Sequence, residues 1–315
     1  MTSERLHFLA LSSSFATGSA SNGSLSGSNF IIEWLKPSVF KQNPVIKAKA
    51  AILTSTKDTA SMLVRSILLE NFGFKETDQC LSGNPVFMKN DVALVTLDVP
   101  LIHAEGIDEM LDVSLIVATS KHVSEKGIRA LLTHPVGNWG PDTSQGGMAF
   151  KVSRTSCAAL TTSLMTLYEE SSSLRGWSVG LEVTHHGPFS TKPMIFVEFG
   201  GPENELNNVD AAEVVAAAAV AAIERPKLLE PAIGFGGGHY APLFTRLVLS
   251  GEYSFGHMIP KYAFPVTKEV MLQAFEMTIE KPEVAVIDWK GIPSADRQAL
   301  QSMLEEFGKK VVKKK

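Results

Sequence analysis

Residues 50–70 read AAILTSTKDTASMLVRSILLE, and the change of period inside them decides the fold class. AAILTST is a short apolar run that ends in hydroxyl residues. TKDTASMLVRSILLE follows directly with helical spacing of Met62, Ile67 and Leu68. The same change recurs along the chain. DVALVTLD (91–98) and SLIVATS (114–120) are strand candidates, and RTSCAALTTSLMTLYEE (154–170) is a helix. WSVGLEV (177–183) and MIFVEFG (194–200) read as strands, and VDAAEVVAAAAVAAIERP (209–226) as a helix capped by Asp210, with Glu213 three residues on and Pro226 as its stop. PAIGF (231–235) is a further strand. TKEVMLQAFEMTIEKP (267–282) and SADRQALQSMLEEFG (294–308) are helices, each opened by a hydroxyl cap, the second closed by Gly308. Short β-rich runs alternating with helices predict an α/β domain over 49–308, its mainly parallel or mixed sheet flanked by helices on both faces.

Both ends differ from this body. Residues 1–29 hold nine serines and no charge after Arg5, so 1–48 reads as a disordered extension, with a serine-rich organellar transit segment as the competing reading. Residues 309–315 carry five lysines and read as a basic tail. The overall charge of −4 leaves −11 on 49–308 once the +2 of 1–48 and the +5 of the tail are set aside. Such a body has no general attraction for nucleic acid, so a polyanionic partner has to be met by a local basic patch. Two cysteines, Cys80 and Cys157, exclude a disulfide framework and a four-thiolate zinc site. No apolar run approaches the ~20 residues that span a bilayer, so a cytoplasmic protein with no membrane partner is expected.

Chemistry is expected in the polar, glycine-rich segments that follow strands. LEVTHHGPFS places His185 and His186 where a strand gives way to a turn; strand alternation would put Glu182, Thr184 and His186 on one face and His185 on the other. FVEFGG sets Glu198 in an apolar run, where a carboxylate needs a metal, a histidine or a cation beside it. GFGGGHY offers Gly236, Gly237 and Gly238 as a cradle, followed by His239 and Tyr240. SKHVSEKGIRALLTHPVGNWG adds His122 and His134, and GHMIPKYA adds His257 and Lys261. The chain has no G-x-S-x-G elbow, P-loop or H-E-x-x-H motif, which leaves an activated water as the economical nucleophile of a hydrolase.

Taken together, T-H-H-G-P (184–188), F-V-E-F-G (196–200), G-F-G-G-G-H-Y (234–240), G-H-x-x-P-K-Y (256–262) and K-H-x-S…L-T-H…G-N (121–138) resemble the zinc-dependent D-aminoacyl-tRNA deacylases of the archaeal-and-plant type. The resemblance implies a phosphorylase/hydrolase-like α/β fold and hydrolysis of the ester between a D-amino acid and the tRNA acceptor end, N-alkylated substrates included. It also implies proofreading of translation, a link to aldehyde and ethanol tolerance, and two zinc ions per subunit. On ligand chemistry, His134, His186, Glu198 and His239 are the expected metal ligands. Glu182 or His185 is expected to take a proton from water, and His257 or Lys261 to steady the oxyanion or leaving oxygen. Gly236, Gly237, Gly238 and Tyr240 are expected to bind substrate. A metal-dependent peptidase or amidohydrolase would use the same groups without a polyanion contact. Oligomeric state is not legible.

Overall fold

In a computed structural model of the chain, which describes residues 45–123 and 127–315, the period change at 50–70 is realised as a strand leading straight into a helix. Most of the expected extension, residues 1–44, lies outside the described residues. The described part begins with β1 (Ile46–Lys47), β2 (Ala50–Ser55), α1 (Thr59–Asn71), β3 (Lys75–Leu81), β4 (Asn84–Lys89) and β5 (Val92–Leu97). It continues through α2 (Ile107–Met110), β6 (Leu111–Asp112), β7 (Ile116–Lys121), β8 (Ala130–His134), α3 (Cys157–Glu170), β9 (Ser178–Leu181) and β10 (Met194–Gly200). The remainder is α4 (Val209–Glu224), β11 (Glu230–Phe235), α5 (Pro242–Leu249), β12 (Tyr253–Ile259), α6 (Lys268–Glu276), β13 (Val284–Asp288), α7 (Arg297–Glu306) and β14 (Lys310–Lys314).

Among the described residues these strands form a large mixed sheet, β3-β4-β5-β2-β7-β10-β8-β9, and a small parallel one, β12-β11-β13-β14. The centre of the large sheet, β5-β2-β7-β10, is parallel, and β8 enters antiparallel to β10 with Phe196 opposite His134. Alternation then sorts β10. Ile195, Val197 and Phe199 join the core under α1, α3 and α4, whereas Met194 and Phe196 face the other way, into the core with Leu101, Ile107 and Leu111. Glu198 falls on that second face, level with Ser120 of β7. The three long helices therefore cover one face of the sheet, and the polar residues lie on the opposite one.

Several expectations are corrected. Helix α4 is capped by Asn208, whose Oδ1 accepts from Ala211 N, rather than by Asp210, because the helix starts two residues earlier than a cap at Asp210 implies. Helix α7 begins at Arg297 behind Asp296 with no side-chain cap, while Thr267 does cap α6. The segment at 309–315 is not a tail: Lys310–Lys314 pair in parallel with β13, and Lys313 lies over the Trp289 ring at 4.1 Å. Alternating Val311 and Val312 among lysines suits an edge strand that water still reaches. At the other end, Ile46 is fully buried and β1 pairs with β6, so the folded region starts before residue 49.

Candidate functional site

Seven side chains from five separate segments meet on the side of the large sheet opposite the three long helices. His122 follows β7, His134 ends β8, Glu198 sits near the end of β10, and Glu182, His185 and His186 follow β9. His239 comes from the loop after β11. The expected alternation of residues 182–186 does not hold, because the strand stops at Leu181 and the chain turns. His186 takes a left-handed φ of +43°, and both histidines join Glu182 in the cluster. Ring centroids of His185 lie 4.3 Å from His134, 4.4 Å from His186 and 4.6 Å from His239.

Hydrogen bonding sets the chemistry of the rings. The Nδ1 atoms of His134, His185 and His186 lie 3.1, 2.8 and 2.6 Å from the carbonyl oxygens of Pro135, Val183 and Gly187. A carbonyl can only accept, so each Nδ1 carries the proton and each Nε2 presents a lone pair. Orientation of an imidazole by a backbone carbonyl on its second nitrogen is the usual support of a metal-ligating histidine. His134 Nε2 and both oxygens of Glu182 are buried and have no hydrogen-bond partner. Glu182 Oε1 lies 2.9 Å from His239 Nε2, but not in hydrogen-bonding geometry.

Burial and charge pull against each other here. Burial, then the charge of His134 and the other neighbouring rings, pushes His185 well below the usual imidazole range, and burial brings His186 down to about 3. Burial also opposes charge on His134, but Glu198 outweighs it and the ring is shifted upward; at 3.8 Å that attraction is electrostatic and too long for a hydrogen bond. Burial would raise Glu198, yet His134 and a 2.5 Å bond from Ser120 Oγ bring it down to about 2. Two carboxylates buried among imidazoles, of which His185 and His186 resist protonation, form a site short of positive charge.

That shortage fits a cation. Three groups of side chains have donor atoms close enough to share an ion: His134 with His185 and His186; Glu182 with His185 and His239; His122 with Glu182 and Glu198. The cluster opens into a cavity of about 940 Å³, also lined by Trp139, Asn138 and Tyr262.

The family model of the D-aminoacyl-tRNA deacylases matches residues 109–312. The chain belongs to the D-aminoacyl-tRNA deacylase family. A D-aminoacyl-tRNA deacylase of Thermococcus kodakarensis is 37% identical over 266 residues, covering 82% of this chain and 97% of that protein. One of Pyrococcus horikoshii is 37% identical over 274 residues, covering 83% and 98%. A crystal structure described as that of a conserved protein of unknown function superposes with a TM-score of 0.77 at 29% identity, covering 84% of this chain and 95% of that one.

Within this family member, His134, His186, Glu198 and His239, the expected metal ligands, lie together, and Glu182 and His185 stand among them. His122, noted in the sequence but given no role there, is part of the same cluster, with its Nε2 3.4 Å from Tyr240 Oη. Two expected catalytic residues lie elsewhere. His257 is fully buried inside β12, between Thr184 Oγ1 at 3.1 Å and Ser153 O at 3.0 Å, and Lys261 is an exposed residue outside the cavity lining. The glycine cradle is also corrected. The N–H of Gly236 donates to Ile259 O and that of Gly237 to Gly291 O, so neither is available to a nucleotide.

One supporting residue left no signal in the sequence. Glu105 accepts from Gly147 N at 2.6 Å and from Phe189 N at 3.0 Å, tying the 145–147 loop to the turn that carries His186. Glu105→Ala is expected to weaken metal binding by about ten- to a hundredfold, as loss of a ligand's support does, with an unchanged circular dichroism spectrum. Competition with a chromogenic chelator measures this; an unaltered affinity would remove Glu105 from the site.

Proposed function

We propose that this family member hydrolyses the ester that joins a D-amino acid to the 3′ end of tRNA, releasing free tRNA and the D-amino acid, and that it does so with zinc. The observation that carries the reading is the convergence of three Nε2-presenting histidines on two buried carboxylates in an open cavity. Imidazole and carboxylate donors suit zinc. The group His134, His185 and His186 shares no residue with the group His122, Glu182 and Glu198, which supports two ions. Bound zinc supplies Lewis acidity and a lowered pKa for water.

The chain's own residues supply placement and proton transfer. Glu182, whose oxygens accept no hydrogen bond, takes the proton that water gives up. His239 Nε2, 2.9 Å from Glu182 Oε1, hands a proton on to the leaving 3′ oxygen, with Tyr262 Oη 3.2 Å from its Nδ1 to hold the ring. The 3′ end of the tRNA reaches these groups through the cavity. Among the described residues no helix is long and apolar enough to cross a membrane.

Turnover of D- and L-aminoacyl-tRNA, set beside a dipeptide and run with and without a chelator, tests the reading. The D ester is expected to be hydrolysed about 100-fold or more faster than the L ester, with activity lost on chelation. Preference for the dipeptide would replace this reading with that of a metallopeptidase.

A further inference from the structure

The cavity that holds the cluster has two unlike walls. On the side of the large sheet, Lys57 lies just beyond β2 and Lys121 ends β7; both are exposed and line the cavity. Among the described residues neither ammonium has an ion-pair partner within 4 Å, while the adjacent Asp58 carboxylate turns inward. Its Oδ1 accepts from Ser61 N and its Oδ2 from Lys121 N. Of the carboxylates in the lining only Asp142 is exposed, and it belongs to the loop of Phe150 rather than to the strand ends that carry the lysines.

On the side of the small sheet stand two aromatic rings. Tyr262, in the turn after β12, is 61% exposed, and Phe150 is 42% exposed. Phe150 has a left-handed φ of +56°. Its N–H donates to Gly140 O at 2.9 Å and its carbonyl accepts from Gln273 Nε2 at 3.2 Å. A non-glycine residue held in that region at both ends of its peptide unit, with much of its side chain still open to solvent, adopts an uncommon backbone conformation. Partly exposed rings and exposed ammonium groups lining one cavity suit one ligand class. Single-stranded nucleic acid stacks its bases on aromatic faces and lays its phosphates on cations.

We propose that this cleft is a binding site for the single-stranded 3′ end of RNA: the terminal base stacks on Tyr262, the next base on Phe150, and the connecting phosphates lie along Lys57 and Lys121. The order follows from Tyr262 touching a cluster histidine, His239, where the ester must sit, while among the described residues Phe150 has no such contact. The inference rests on the deacylase reading and names the part of the surface that meets RNA in an otherwise acidic body.

Two measurements on the full chain test it: anisotropy of a labelled ACCA oligonucleotide, and steady-state kinetics on D-aminoacyl-tRNA and on 3′-O-D-aminoacyl-adenosine, which has no phosphate. Lys57→Gln with Lys121→Gln is expected to weaken ACCA binding about tenfold. The slope of log affinity against log salt should flatten by roughly 1.4, at about 0.7 per single-strand phosphate. The same variant should raise KM about tenfold more on the tRNA than on the adenosine ester. Phe150→Leu is expected to weaken ACCA about tenfold through lost stacking, again with the larger KM effect on the tRNA. Tyr262→Leu should raise KM on both substrates, and Tyr262→Phe should recover most of that loss, separating the ring face from the hydroxyl. Variants that bind ACCA with wild-type affinity and salt slope overturn the proposal even if the wild type is an active deacylase. Variant-sensitive ACCA binding by a protein that hydrolyses neither ester upholds the site and overturns the deacylase reading instead.

Discussion

Glu182→Gln is expected to lower kcat by about a thousandfold or more, the scale on which loss of one essential group in a water-excluded site is felt. With it should go part of the response of the melting temperature to a chelator, the part that depends on the groups containing Glu182. Glu182 is fully buried, its oxygens accept no hydrogen bond, and it takes part in two of the three groups able to hold an ion. The amide keeps the shape and removes the charge. A cation at 100 times its dissociation constant adds about 2.7 kcal/mol to stability, or roughly 5–10 °C in a chain of this size. Wild-type protein should lose the increment of every bound ion on chelation, whereas the variant should lose only that of the ion held by His134, His185 and His186. Differential scanning calorimetry with and without chelator, beside an activity assay, decides the matter. A variant that keeps a tenth of the wild-type rate, or the wild-type chelator response, would sink the role given to Glu182.

The second large effect concerns acid stability and His257. Burial brings this ring down to about 3 from an ordinary value near 6.5. Its Nε2–H donates to Ser153 O, and its Nδ1 accepts from the Thr184 hydroxyl, which in turn accepts from Met258 N. The neutral ring is fully satisfied. Because the folded pKa is depressed, the stabilising contribution is complete above pH 6.5. It drains away as the pH falls from there toward 3, where the unfolded chain takes up the proton and the native one does not. At 1.36 kcal/mol per unit the loss amounts to roughly 4–5 kcal/mol. His257→Leu is therefore expected to melt lower than wild type at pH 8, having left two polar groups unpaired, but to show a shallower fall in melting temperature between pH 6.5 and 4. Parallel profiles for the two proteins would show that His257 does not titrate on unfolding.

What the sequence conveyed about the fold was whatever period and punctuation carry. Strand β10 was legible over its whole length because seven consecutive residues are buried and a glycine ends it. Helix α4 was legible from its alanine-rich run, although its cap was misplaced by two residues. Strand β8 was missed because ALLTH is only five residues long and shows no alternation, being buried on both faces. Strand β12 was missed for a related reason: YSFGHMI holds a glycine and a histidine, which read as a polar loop, and so a buried structural histidine was taken for a catalytic one. The candidate site was legible as a set of residue types that are costly to bury. Its supports were not. Glu105, Ser120 and Tyr262 act through backbone and side-chain contacts between segments far apart in the chain, and no local pattern marks such contacts.

The close approach of the loops beneath His186 also bears on which sequences can carry this site. A Cβ on Gly187 would lie 2.1 Å from Gly147 N, and one on Gly146 would lie 1.8 Å from Ile102 O. Three backbone segments are thus stacked with no side chain between them, and the outermost one holds a cluster histidine. In a saturation library selected for activity, positions 146 and 187 should accept glycine alone, although neither contributes a functional group. The boundary of tolerated variation would then outline the site more sharply than its chemistry does, and a lineage that lost either glycine would have to rebuild the whole turn to regain the histidine it carries.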